Sequence, residues 1–237
     1  DLYRIPYEKQ KLDDNMKIVP EDYYKENGGV IFPNPNAPTG LLMDLDSVRD
    51  IIEHNKDVVV IVDEAYIDFG GVSAKDLVNE YDNVLVVQTF SKSRSMAGMR
   101  IGYAFGSKEL IKALNDVKFS FNSYTMNRTS ISYGIESVND KEYFEECVGK
   151  IVKTRENAKE RLSQLGFSFP DSKANFIFAT HKSVSAKEIF EKLKEKNIFV
   201  RYFNQPLIDN YLRISIGTDE QMEKLYAALE EITGQVK

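Results

Sequence analysis

Residues 58–66 read Val58-Val59-Val60-Ile61-Val62-Asp63-Glu64-Ala65-Tyr66. The first five are all β-branched, and a run apolar on both faces marks a strand covered on both sides. Working backward, Asp44 or Asp46 can cap a helix that runs to Asn55, with Leu45, Val48, Ile51 and Ile52 along one face. Ahead of that helix lies a second short apolar run, Val30 to Phe32, and forward of residue 66 lies a third, Val84 to Val87. Strand, helix, strand at this spacing is a βαβ unit. It predicts an α/β fold whose mainly parallel sheet carries helices on both faces. Ile101 to Phe105 reads as a further strand, and Ser107 caps a helix whose apolar face is Leu110, Ile111, Leu114 and Val117.

From Lys141 the pattern becomes one long charged helix, ending at Leu165 with Gly166 suited to the left-handed position after a helix. Val148, Ile151, Val152, Ala158, Leu162 and Leu165 form its stripe. A strand at Phe176–Ala179 follows, then a helix opened by Ser185 and Glu188 as a capping box. A strand around Phe199, a strand Leu212–Ile216 and a last helix capped by Thr218 and Gln221 complete the chain, with Met222, Leu225, Leu229 and Ile232 turned inward. The reading is an α/β part over residues 1–140 and a smaller α+β part over 141–237, joined by the helix 141–165.

Composition narrows the function. In 237 residues, 37 acids against 31 bases leave a net charge of -6, which recruits neither nucleic acid nor an anionic membrane. The longest unbroken apolar run, Val58 to Val62, is far short of the ~20 residues of a membrane helix. A lone cysteine, Cys147, excludes an intrachain disulfide and fits a reducing, cytoplasmic setting, and two histidines make a histidine-built zinc site a poor expectation. The chain opens on Asp1, and Leu2 to Lys11 read like the middle of a strand-and-loop region, as in a fragment or a processed chain.

Three clusters fall at strand ends, where open α/β sheets bind ligands. Asn34-Pro35-Asn36-Ala37-Pro38-Thr39-Gly40 is a rigid turn with short polar arms. Asp63-Glu64-Ala65-Tyr66 puts a carboxylate at the end of a buried strand. Thr89-Phe90-Ser91-Lys92 and, after a small-residue loop, Arg100 bring hydroxyls, an amine and a guanidinium to the next strand end, a set suited to a phosphate. Singly, each has an ordinary reading as a surface turn, a helix-capping acid pair or a solvated lysine. Asp63-Glu64 also resembles the Walker B strand of an ATPase, although no G-x-x-x-x-G-K-[ST] loop accompanies it.

Together, and with Tyr211-Leu212-Arg213-Ile214-Ser215-Ile216-Gly217-Thr218, these pieces resemble in order and spacing the fold-type I pyridoxal-phosphate enzymes. Among these the likeness is to the aminotransferases, and Val200-Arg201-Tyr202-Phe203 points to those acting on histidinol phosphate. The resemblance implies pyridoxal 5'-phosphate as cofactor. Lys92 would form the Schiff base and shuttle a proton, Asp63 would pair with the pyridinium nitrogen, and Tyr66 would donate to the ring oxygen. Thr89, Ser91 and Arg100 would hold the 5'-phosphate, and Arg213, seconded by Arg201, the acidic end of the substrate. It further implies histidinol phosphate with 2-oxoglutarate or glutamate as substrates, and a homodimer.

Two departures accompany the likeness. Many relatives place asparagine where this chain has Ala37, so Asn36 is the candidate to reach the cofactor in its place. Relatives also carry an N-terminal stretch with helix-end amides for the cofactor phosphate. The chain therefore reads as the C-terminal two-thirds, with an incomplete large domain and impaired transamination. An aromatic aminotransferase, a threonine-phosphate decarboxylase, a nucleotide-binding ATPase module and a non-catalytic scaffold are the alternatives.

Overall fold

The computed structural model describes residues 3–234. The first sheet has four strands in the order β1 (Val30–Pro33), β2 (Val60–Asp63), β3 (Val84–Thr89) and β4 (Gly102–Gly106). The first three run parallel, with Val30 beside Val60 and Val60 beside Val84; β4 returns antiparallel, with Thr89 beside Gly102. Between β1 and β2 runs α1 (Leu45–Glu53), whose N-cap Asp44 accepts the backbone N–H of Ser47. Alternate residues of the strands, among them Phe32, Val60, Val62, Val84 and Val86, pack against Val48, Ile51 and Ile52 of α1 and against Ala74 and Leu77. Period-two strands thus meet a helical stripe, as the βαβ reading requires. The opposite face is thinly covered. Ile31 is 68% exposed, while Leu85 is buried beside Gly106 and the Leu110 side chain. Residues 4–13 hold no strand. Asp1, and Leu2 at the start of the strand-and-loop reading, lie outside the described residues.

Ser107 caps α2 (Lys108–Phe121) through the N–H of Leu110, yet no residue of α2 is buried. The expected face of Leu110, Ile111, Leu114 and Val117 is present but largely open. The sequence reading missed α3 (Arg128–Asn139), a Ser- and Gly-containing stretch with weak intrinsic helix propensity. Tertiary contacts hold it. Asn127 caps the N–H of Ser130, Ser130 Oγ donates to Met99 O, and Gly134 lets Ile101 approach within the space a Cβ would fill.

The long helix α4 (Lys141–Gln164) ends at Leu165 with Gly166 at φ 81°. Beyond it a second four-stranded sheet has the order β5 (Phe167–Ser168), β6 (Phe176–His181), β8 (Leu212–Ser215) and β7 (Arg201–Tyr202), antiparallel throughout. It packs on α4, on α5 (Ala186–Glu195) and on α6 (Asp219–Thr233) in a core of its own. The capping box at Thr218 and Gln221 forms completely. That at Ser185 forms by half: Ser185 accepts the Glu188 N–H, but the Glu188 carboxylate pairs one turn onward with Lys192. No strand forms at Phe199, which is 74% exposed. The chain leaves α5 through left-handed Asn197 and aligns with β8 only from Arg201. No described helix is long and apolar enough to cross a membrane.

Candidate active site

The C-terminal ends of β1, β2 and β3 lie side by side, since Pro33 pairs with Asp63 and Asp63 with Val87. The backbone continues the match beyond the strands: Asn34 N–H donates to Asp63 O and Glu64 N–H to Val87 O, both at 2.8 Å. This register delivers Asp63, then Thr89, Ser91 and Lys92, to one edge. The half-buried Asp63 carboxylate accepts a backbone N–H from Ala65 at 3.0 Å and meets no cation among the described residues. Thr89 Oγ1 lies 2.9 Å from Ser91 Oγ and accepts the Ser91 N–H at 3.1 Å. Lys92 Nζ stands 5.3 Å from the centre of the Tyr66 ring and has no ion-pair partner among the described residues. Arg100, at left-handed φ 56°, is exposed and donates to Ala97 O of its own loop.

The loop that carries Lys92 is pinned on both sides. Buried Ser93 bonds Asp68, and Arg94 reaches Ser137 O while stacking over Phe144 at 4.2 Å. Glu64, 1% exposed, turns away from this edge. It accepts from Ala74 N–H at 2.6 Å, from Gln88 Nε2 at 2.7 Å and from Ser73, and Tyr103 donates to Gln88 Oε1. Burial pushes the Glu64 carboxyl above its ordinary value, against the pull of those donors. A Walker B glutamate would face a ligand. Here it is consumed in tying β2 to β3, which removes the physical basis of the ATPase reading.

In the turn after β1, Asn34 is buried in a two-way bond with Met43, donating to its carbonyl and accepting its N–H. Asn36 Oδ1 accepts from Thr39, leaving the Asn36 amide N–H groups without a partner among the described residues. The turn docks onto the second sheet's approach, with Lys173 N–H donating to Gly40 O at 2.8 Å.

From Tyr66 a chain of rings leads to the second sheet. Tyr66 meets Phe176 edge-on at 5.1 Å, and the Arg213 guanidinium lies over Phe176 at 5.1 Å and over Phe203 at 6.0 Å. Arg201, over Phe203 at 5.5 Å, is the direct cross-strand partner of Arg213. Phe176, which links the lysine side to the arginine side, had only the reading of a core strand residue; nothing local in the sequence marks it.

By residue type the donors at these strand ends suit the implied cofactor, with a carboxylate, a phenol, an amine and two hydroxyls, while the Arg100 guanidinium bonds its own loop rather than Thr89 or Ser91. The family model of aminotransferase class I and II matches residues 1–229. The chain belongs to the class I and II aminotransferases. A histidinol-phosphate aminotransferase of Clostridium botulinum (strain Okra / Type B1) is 50% identical over 236 residues, all of this chain and 67% of that protein. The chain thus spans about two thirds of the length of such curated relatives. The crystal structure of the histidinol-phosphate aminotransferase from Clostridium acetobutylicum superposes with a TM-score of 0.87 at 26% identity, covering 95% of this chain and 70% of that one. The enzyme from Sinorhizobium meliloti, solved in complex with pyridoxal-5'-phosphate, shares the fold at TM-score 0.80 and 24% identity, over 89% of this chain and 58% of that one. As an aminotransferase of this family the chain is a pyridoxal-phosphate enzyme, and the ATPase and scaffold readings are overturned.

Proposed function

We propose that this chain is a histidinol-phosphate aminotransferase, moving an amino group between L-histidinol phosphate and 2-oxoglutarate in histidine biosynthesis. The observation that carries the substrate is the register of β7 on β8. Arg201 stands directly opposite Arg213, a placement of like charges that costs stability unless an anion lies between them. A phosphate dianion rewards two guanidiniums more than a carboxylate does, which favours the phosphorylated substrate over an aromatic one.

Bound pyridoxal phosphate supplies the electron sink that stabilises negative charge at the substrate Cα. In this reading Asp63 holds the proton on the ring nitrogen, and Tyr66 and Asn36 orient the ring oxygen. Thr89, Ser91 and Arg100 grip the 5'-phosphate, fixing the ring without entering the bond changes. Lys92 Nζ would hold the cofactor's aldehyde carbon and, once released by substrate, would carry the proton that leaves the substrate Cα. Arg213 holds the carboxylate of glutamate or, with Arg201, the phosphate of histidinol phosphate. Residues 1–140 would form the cofactor domain and 141–237 the small domain. A homodimer is part of this reading, supported by the exposed apolar faces of α2 and α3, and so is a cytoplasmic location, supported by the free thiol of Cys147.

Borohydride reduction after addition of pyridoxal phosphate, followed by peptide mass mapping, tests the site. The stable label is expected on Lys92 and is absent in Lys92→Ala. A label on another lysine in the unaltered chain overturns the assignment.

A further inference from the structure

Arg155 is the largest side chain among the fully buried residues of the described chain, at 2% exposure. It projects from α4 into the junction of the two sheets. Its Nη1 donates to Phe69 O at 2.7 Å and to Ala174 O at 3.0 Å, while Nε and Nη2 meet Glu156 Oε1 at 2.9 and 2.7 Å. Both carbonyls belong to stretches that carry site residues. Phe69 closes the turn that begins at Tyr66, and Ala174 lies two residues before Phe176. The guanidinium therefore clamps the Tyr66 stretch to the Phe176 stretch, behind the rings that meet at 5.1 Å.

We propose that Arg155 is a positioning residue that sets the span between the Lys92 amine and the Arg213 guanidinium, and so the length of substrate the site prefers. This rests on the reading of Lys92 and Arg213 given above. Lys92 stands over one ring of the pair and Arg213 over the other, so a shift of one stretch against the other changes the gap a substrate must bridge. Burying a guanidinium costs desolvation, and apolar residues of similar volume often stabilise a core as well or better. What apolar packing lacks is direction. Both carbonyls bond one nitrogen, Nη1, whose two N–H directions are fixed because Nε and Nη2 anchor the guanidinium plane on Glu156; a methionine has no donors, and an ammonium on a flexible stem lacks that anchored plane.

The test uses the chain loaded with pyridoxal phosphate and reads protection of Lys92 from borohydride labelling by added amines. L-Histidinol phosphate reaches both ends of the site, whereas L-histidinol lacks the acidic end and depends on the lysine side alone. In Arg155→Met, half-labelling of Lys92 by the cofactor should stay within about twofold. The advantage of histidinol phosphate over histidinol in half-protecting concentration should shrink about tenfold, below the ~10²-fold that a full 1 Å misplacement can cost. Arg155→Lys keeps the charge and a donor for the carbonyls but loses the guanidinium plane anchored on Glu156, and should lose part of the same advantage, which keeps the proposal open to refutation if the methionine variant does not fold. An unchanged ratio in the lysine variant, or an equal loss for both amines, overturns the positioning role. Failure of the unaltered chain to label at Lys92 overturns the underlying site reading instead, and the inference with it.

Discussion

Gly40 illustrates how a single residue answers to distant structure. Its φ is 78°, and a Cβ there would lie 2.8 Å from Ser172 Cβ and closer still to Ser172 Oγ. The left-handed backbone and the close approach each exclude a side chain. Gly40→Ala is expected to lower stability by about 2 kcal/mol or more, read from the urea midpoint at unchanged slope, with part of the loss restored by Ser172→Gly. The turn itself was legible in Asn34–Gly40. The need for glycine was not, because Ser172 comes from the far side of α4. Arg155 was more nearly legible. Ile151, Arg155, Ala158, Leu162 and Leu165 are spaced four, three, four and three apart, so a charged residue occupies a core position of the stripe.

At the scale of elements, the strand ends and caps follow local chemistry closely. His181, the last residue of β6, is 4% exposed. Its Nε2–H donates to Leu165 O at 3.0 Å, and Nδ1 accepts the Val184 N–H at 3.0 Å and the Ser183 N–H at 3.3 Å. That pattern requires the neutral ring. Burial, the dominant cause, lowers its pKa below the ordinary 6.5; the Leu165 carbonyl opposes and Lys182 adds to the lowering. Below pH 6.5 the unfolded chain therefore binds a proton that the fold refuses, and stability falls as pH drops from 6.5 through the folded value. Thermal unfolding between pH 7.5 and 5.5 should show this fall, and His181→Gln should flatten it. Where local chemistry was ambiguous, the reading of elements failed: α3 depends on Ser130 and Gly134 meeting residues 99–101, and Phe199 precedes its strand because Asn197 turns the chain first.

The whole molecule carries an apolar surface that its own helices leave open. Phe121, Tyr124, Ile131 and Tyr133 are exposed on α2, α3 and the loop between them, and Ile131 also lines a groove of about 310 Å³ with Phe90, Ile101, Met126, Ile135 and Val138. Monomeric proteins rarely expose apolar patches beyond a few hundred Å². Sedimentation velocity is expected to show concentration-dependent association of the chain, weakened in the double variant Phe121→Ser, Ile135→Ser. A monomer at every concentration would remove this face as an assembly surface.

By itself the sequence determined the βαβ unit, the α4 stripe, the helix caps, and the residue types that meet at the strand ends. Each of these is set by neighbours within a few positions, through β-branching, side-chain period or a local hydrogen bond. Contacts between distant stretches alone turn Glu64 inward while Asp63 stays half-exposed at its strand end, set Arg201 opposite Arg213, and let Arg155 join the two halves. Those outcomes depend on register and on contacts between stretches far apart in the chain, where burial selects which polar groups must find one another.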